Sequence, residues 1–146
     1  MHRHFFIAYG TRKAAGLKAF RQVEFDALRG HEKLRAGAKQ VNRETRTGQN
    51  ELFGSDFESN ATFQSVVDQT FDTAKNWTLA FLQDRGSPIQ FGVLLIKIME
   101  QFMLRETNVK DLCVELANEG KILNTWKIAG KLKPVDSSRI ELGAVN

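Results

Sequence analysis

The stretch TNVKDLCVELANEG (Thr107–Gly120), continued by KILNTWKIAGKLKPVDSSRIEL (Lys121–Leu142), decides the fold. Asn108 can cap a short helix that carries Val109, Leu112, Cys113, Leu116 and Ala117 on one stripe, and Gly120 ends it. Two β-capable runs follow, Lys121–Lys127 and Arg139–Leu142, joined by a loop containing Gly130 and Pro134. A helix followed by a hairpin with a long tip predicts the closing half of a winged helix-turn-helix.

Working outward, two helices precede it. Thr62–Leu82 places Phe63, Val66, Val67, Phe71, Ala74, Trp77, Phe81 and Leu82 at i, i+3, i+4, i+7 spacing, with Asn60 or Thr62 as cap and Gly86 and Pro88 as the stop. Phe91–Met103 repeats the pattern through Leu94, Leu95, Ile98, Met99 and Phe102. Three helices and a hairpin over residues 61–146 can bury a core of their own.

The N-terminal part reads differently. HFFIAY (His4–Tyr9) lacks polar alternation and predicts a strand buried on both faces. A long, largely polar helix follows from about Ala14 to Val41. Its narrow stripe runs through Leu17, Phe20, Val23 or Glu24, Ala27, Leu28, His31 and Leu34. One such strand cannot complete a parallel sheet, so residues 1–41 read as the remnant of a larger α/β domain, or the strand pairs with another molecule. The helix then crosses solvent or packs on something outside this sequence. Residues 42–60, polar apart from Leu52, Phe53 and Phe57, read as a linker in which Leu52 and Phe53 form a small anchor for docking on the domain that follows. The expected fold is therefore mostly α with a small β-hairpin: a winged-helix C-terminal domain preceded by an isolated strand and a long helix.

Net charge is +4. Residues 1–48 carry eleven Lys/Arg against four Asp/Glu, residues 49–85 two against six, and residues 86–146 eight against seven. The basic excess thus lies in the N-terminal third, as a solvated helix face or a polyanion-facing one. No apolar run approaches the roughly 18 residues of a membrane span, and Phe5–Tyr9 is too short for a signal-peptide core. A lone cysteine, Cys113, allows no internal disulfide and suits the cytoplasm.

Candidate chemistry is sparse. His2, His4 and His31 lack further ligands at metal-site spacing, and no HExxH, GxSxG, P-loop or GxGxxG occurs. No catalytic, metal or cofactor residue is assigned. On the third helix of the winged unit, Asp111, Glu115 and Glu119 outnumber Lys110, which discounts groove reading by that helix. The hairpin tip instead offers Lys127, Lys131 and Lys133 with Trp126, a basic aromatic group suited to phosphates; Arg12, Lys13 and Arg21 could add to the same field.

HFFIAYGTRKAAGLKAFRQVE (His4–Glu24) resembles a segment of the three-Cys-motif partner proteins. QNELFG (Gln49–Gly54), TNVKDLCVELANEGKI (Thr107–Ile122) and KLKPVDSSRIEL (Lys131–Leu142) resemble that family's connector, helical tail and final hairpin. The resemblance implies a methyltransferase-like α/β domain, with an FAGPG-like loop, N-terminal to this region. It also implies a partner protein bearing a three-cysteine motif. No such loop occurs here, so no catalytic residue carries over. Two readings follow. One is a non-catalytic winged-helix module that binds DNA, another nucleic acid or a partner protein. The other is a truncated or split piece of a methyltransferase-like enzyme whose catalytic domain lies elsewhere.

Overall fold

A computed structural model describes residues 10–48 and 55–143, for 55–58 the backbone alone. The predicted strand His4–Tyr9 and the Leu52–Phe53 anchor lie outside the described residues. The rest is mostly helical with one small antiparallel sheet.

Helix α1 spans Ala14–Thr47, about 51 Å at 1.5 Å per residue. It runs six residues past the expected end, into the polar segment read as linker. Polarity there does not break the helix, because no Gly or Pro lies between Val41 and Gly48. Thr45 and Thr47 hydroxyls donate to the carbonyls of Val41 and Arg43 at 2.7 and 2.9 Å, four residues back. Gly48 then takes φ 67°, the left-handed cap, and donates its N–H to the Glu44 carbonyl at 2.8 Å. Helix α2 spans Ser55–Arg85 and starts seven residues before the expected Thr62. Gly86, at φ 63°, closes it ahead of Pro88.

The two helices form an antiparallel pair, which corrects the reading of α1 as a solvent-crossing rod or a helix without a home in this chain. Phe25 meets Phe63 edge to face, centroids 4.9 Å apart, and Val67 and Leu28 complete that cluster. The Arg105 guanidinium sits 3.7 Å over the Phe25 ring. Leu17 reaches the main core, and Arg21 Nε donates to the Met99 carbonyl at 2.7 Å. The inward face is thus Leu17, Arg21, Phe25, Leu28 and Ala36. Val23 and Leu34, placed on the expected stripe, point outward.

Strand β1 (Ile89–Gln90) leads directly into α3 (Phe91–Gln101), and α4 (Glu106–Asn118) follows. Asn108 sits inside the first turn of α4 and not ahead of it. Its Oδ1 reaches back to accept the Arg105 backbone N–H at 3.2 Å. Stripe residues Leu94, Leu95, Ile98, Met99, Val109, Leu112, Cys113 and Leu116 are all fully buried. Burial pushes the Cys113 thiol up to about 12. We expect Cys113 in the folded chain to resist a thiol-reactive dye, with labelling tracking unfolding in denaturant; fast labelling of native protein would mean the stripe is open.

The sheet is smaller than expected but has one more partner. Strand β2 (Arg139–Ile140) pairs with β1 in antiparallel register, Ile89 opposite Ile140. Ile122 bridges to Leu142, and Leu123 N–H donates to the Glu141 carbonyl at 3.0 Å. Gly143 N–H likewise donates to the Lys121 carbonyl at 2.8 Å, whereas the Ser138 carbonyl accepts the Phe91 N–H on the other side. The C-terminal segment therefore lies between β1 and the short arm at Ile122. The predicted first strand, Lys121–Lys127, stops at Leu123. Asn124 then caps one helical turn, α5 (Thr125–Ile128), through a bond from the Lys127 N–H at 3.1 Å.

Candidate functional site

The hairpin tip, residues 124–138, is built around a buried ring. The α5 turn rolls Trp126 inward to 2% exposure, against the core that also holds Ile122 and Ile140. Trp126 therefore cannot stack on an incoming base, a correction to its assignment as an exposed aromatic. Its carbonyl accepts the Lys131 N–H at 2.9 Å, and Gly130 turns the chain at φ 71°. Farther on, Gly92 N–H donates to the Asp136 carbonyl at 3.0 Å. A Cβ at Gly92 would lie 3.2 Å from the Asp136 Cβ, so the end of the tip rests closely on the start of α3.

What the tip shows to solvent is mixed. Lys127 and Lys131 are exposed, as predicted, with no ion-pair partner among the described residues. Between and beside them stand Ile128, 90% exposed, and Leu132, 95% exposed. Lys133 is exposed as well, but it is paired: its Nζ meets the Asp111 carboxylate of α4 and ties the tip to that helix. Arg21 is likewise spent inside the chain, on Met99 and Glu24. Arg12 and Lys13 are exposed at the start of α1. The seven residues grouped from the sequence thus divide: Lys127 and Lys131 stand together, Arg12 and Lys13 stand just ahead of α1, and Trp126, Arg21 and Lys133 make contacts within the chain.

The outer face of α4 is also occupied. Lys75 of α2 reaches Glu119 at 2.6 Å and Glu115 at 3.1 Å. Glu106 takes Lys110 at 2.7 Å and Lys18 of α1 at 3.0 Å. Hydrogen bonds from Lys121 and then Lys75 hold the Glu119 carboxyl down at about 2, and Lys110 above all lowers Glu106. The same pairing, led by Glu119, raises Lys75. Both carboxylates bind protons more weakly folded than unfolded, so their stabilising effect is complete above the ordinary value of 4.5 and fades as pH falls toward 2. The Lys75 effect is complete below 10.5 and fades above it. Melting temperature measured against pH should accordingly fall below about pH 4.5, with Glu119→Gln flattening part of that fall. An unchanged acid limb in the variant would contradict the pairing.

Among the described residues no three His, Cys, Asp or Glu side chains converge as a metal site. A shallow cleft between the end of α2 and the C-terminal strand is lined by Leu82, Gly86, Ser87, Pro88, Glu141 and Leu142, with Glu141 its one ionisable group. No described helix is long and apolar enough to cross a membrane.

By fold and surface this is a mostly helical chain with a two-stranded sheet and an exposed basic and apolar hairpin tip. Compared with known proteins, it matches no family model, no curated protein and no solved structure.

Proposed function

We propose that α2 onward is a non-catalytic winged-helix module whose hairpin tip docks a partner protein. The element order supports this reading: helix, short strand, two helices, then a hairpin whose last segment lies between the first strand and the hairpin's other arm. One observation carries the choice of partner class. Ile128 and Leu132 project beside Lys127 and Lys131. Phosphates engage only the lysines, and two lysines yield a weak, salt-sensitive attraction. A protein face with an apolar pocket rimmed by carboxylates engages all four, and burying two large aliphatic side chains contributes about 1.5–3 kcal/mol each. The α4 face that would enter a groove is acidic and already paired, which further disfavours nucleic acid. The resemblance to three-Cys-motif partner proteins supports the same class of function. On that reading the chain is a C-terminal part of such a protein, working in the cytoplasm beside a methyltransferase-like domain.

The test has two arms. A photo-crosslinking residue at position 128, expressed in the native host, should give a discrete protein adduct that Leu132→Asp abolishes. A gel shift with duplex DNA at low salt should show nothing. A salt-sensitive shift removed by Lys127→Glu with Lys131→Glu, without any protein adduct, would assign the tip to phosphate instead.

A further inference from the structure

Opposite the face of α1 that packs on α2 runs a second seam, independent of the hairpin tip. Val23 is 66% exposed, Leu34 77% and Val41 61%. Ala27 and Gly30 are exposed with them. Extended toward the N-terminus through half-buried Phe20 and Gly16, and including Gly37, the seam alternates steps of four and three residues from 16 to 41. This is the a/d rhythm of a coiled-coil face, unbroken over eight positions. The helical glycines of α1, Gly16, Gly30 and Gly37, all fall on it, at separations that are multiples of seven. Each costs about 1 kcal/mol of helix propensity relative to alanine. Nothing lies within 4 Å of where a Cβ would be at Gly30 or Gly37. Glycine is thus concentrated where a second helix could approach closely.

We propose that this seam pairs with the same seam of a second copy of this chain, the two α1 helices running antiparallel. Size decides the orientation. In an antiparallel pair centred between Leu28 and Arg29, residue numbers in each layer add to the same sum. Phe20 then faces the partner's Gly37, and Val41 faces the partner's Gly16. Leu34 meets the partner's Val23, and the two small residues Ala27 and Gly30 meet at the centre. Every large side chain but the Leu34–Val23 pair finds a glycine opposite. A parallel pair would instead set Phe20 on Phe20 and glycine on glycine, crowding one layer and leaving voids in others.

Charge agrees with size. Asp26 and Lys33 flank the seam on one side, and Glu24 and His31 on the other. Antiparallel pairing brings Asp26 of each copy beside Lys33 of the other, twice by symmetry, whatever else each side chain holds within its own chain. It also sets Glu24 beside the partner's His31. Parallel pairing would set Lys33 beside Ala38.

Sedimentation equilibrium of the full chain, from micromolar to sub-millimolar, should show a reversible dimer. Leu34→Glu, a change at a position exposed in the monomer, should raise its Kd at least roughly tenfold, with the helical circular dichroism of a concentrated and a dilute sample confirming that the fold persists. Spin labels on Asn42→Cys should lie about 40 Å apart in the dimer, the length of 27 helical residues; buried Cys113 stays unlabelled. A monomer throughout overturns the proposal and leaves the seam to a chain of other sequence. A dimer indifferent to Leu34→Glu overturns it as well. Labels closer than about 20 Å would mean parallel helices and would overturn the stated pairing.

Discussion

Replacing Trp126 with alanine should lower the free energy of unfolding by about 3–5 kcal/mol, the usual cost of emptying a large aromatic site in a core. The ring is 2% exposed and packs with Ile122, Ile140 and the α3–α4 stripes. It also fixes the tip: its own carbonyl accepts the Lys131 N–H, so a displaced Trp126 displaces the turn that carries Lys127 and Lys131. Trp126→Phe, which keeps most of the apolar volume, should lose far less. Denaturant unfolding of both variants separates the outcomes. A Trp126→Ala protein as stable as the parent would return this residue to the surface, as an aromatic on an exposed tip.

The second large effect concerns the join between α1 and the rest. Phe25→Ala removes the edge-to-face contact with Phe63 and the ring under the Arg105 guanidinium. Burial, ring geometry and the cation combine there, so a loss of about 3 kcal/mol is expected. Because Phe25 touches both α2 and the residue that precedes α4, the loss should appear in the single global transition. A separate early transition confined to α1 would mean that the helix is an appendage. Leu34→Glu, nine residues along the same helix but on its outer face, should leave monomer stability nearly unchanged.

How much of this could be read from residues alone follows from how many faces each segment has. Helices α2, α3 and α4 each bury one stripe, so their i, i+3, i+4 spacing is unambiguous; the expected apolar positions, from Phe63 to Leu116, lie largely in the core. Helix α1 has two apolar faces about half a turn apart. Reading Leu17, Phe20, Val23, Ala27, Leu28 and Leu34 as one narrow stripe merged its outer seam with its inner face and passed over Phe25. The extension of α1 to Thr47 and the early start of α2 were hidden by polar composition, although no helix breaker lies between Val41 and Gly48. Strand β1 is two residues long and is defined by its partner Ile140, a long-range pairing that local pattern cannot encode. In the tip, the β-capable run Lys121–Lys127 conceals a cap at Asn124. That cap turns Trp126 inward, so the aromatic member of the basic tip becomes part of the core. Lys133 was legible as a cation, but its partner Asp111 is 22 residues away.

Hydrogen exchange of the intact chain tests most directly whether α1 and the C-terminal body are one folded unit. Amides of Leu17–Ala36 should be protected to the same order as those of α2 and α4. Exchange of Leu17–Ala36 at unfolded-chain rates beside a protected α2 and α4 would contradict the account.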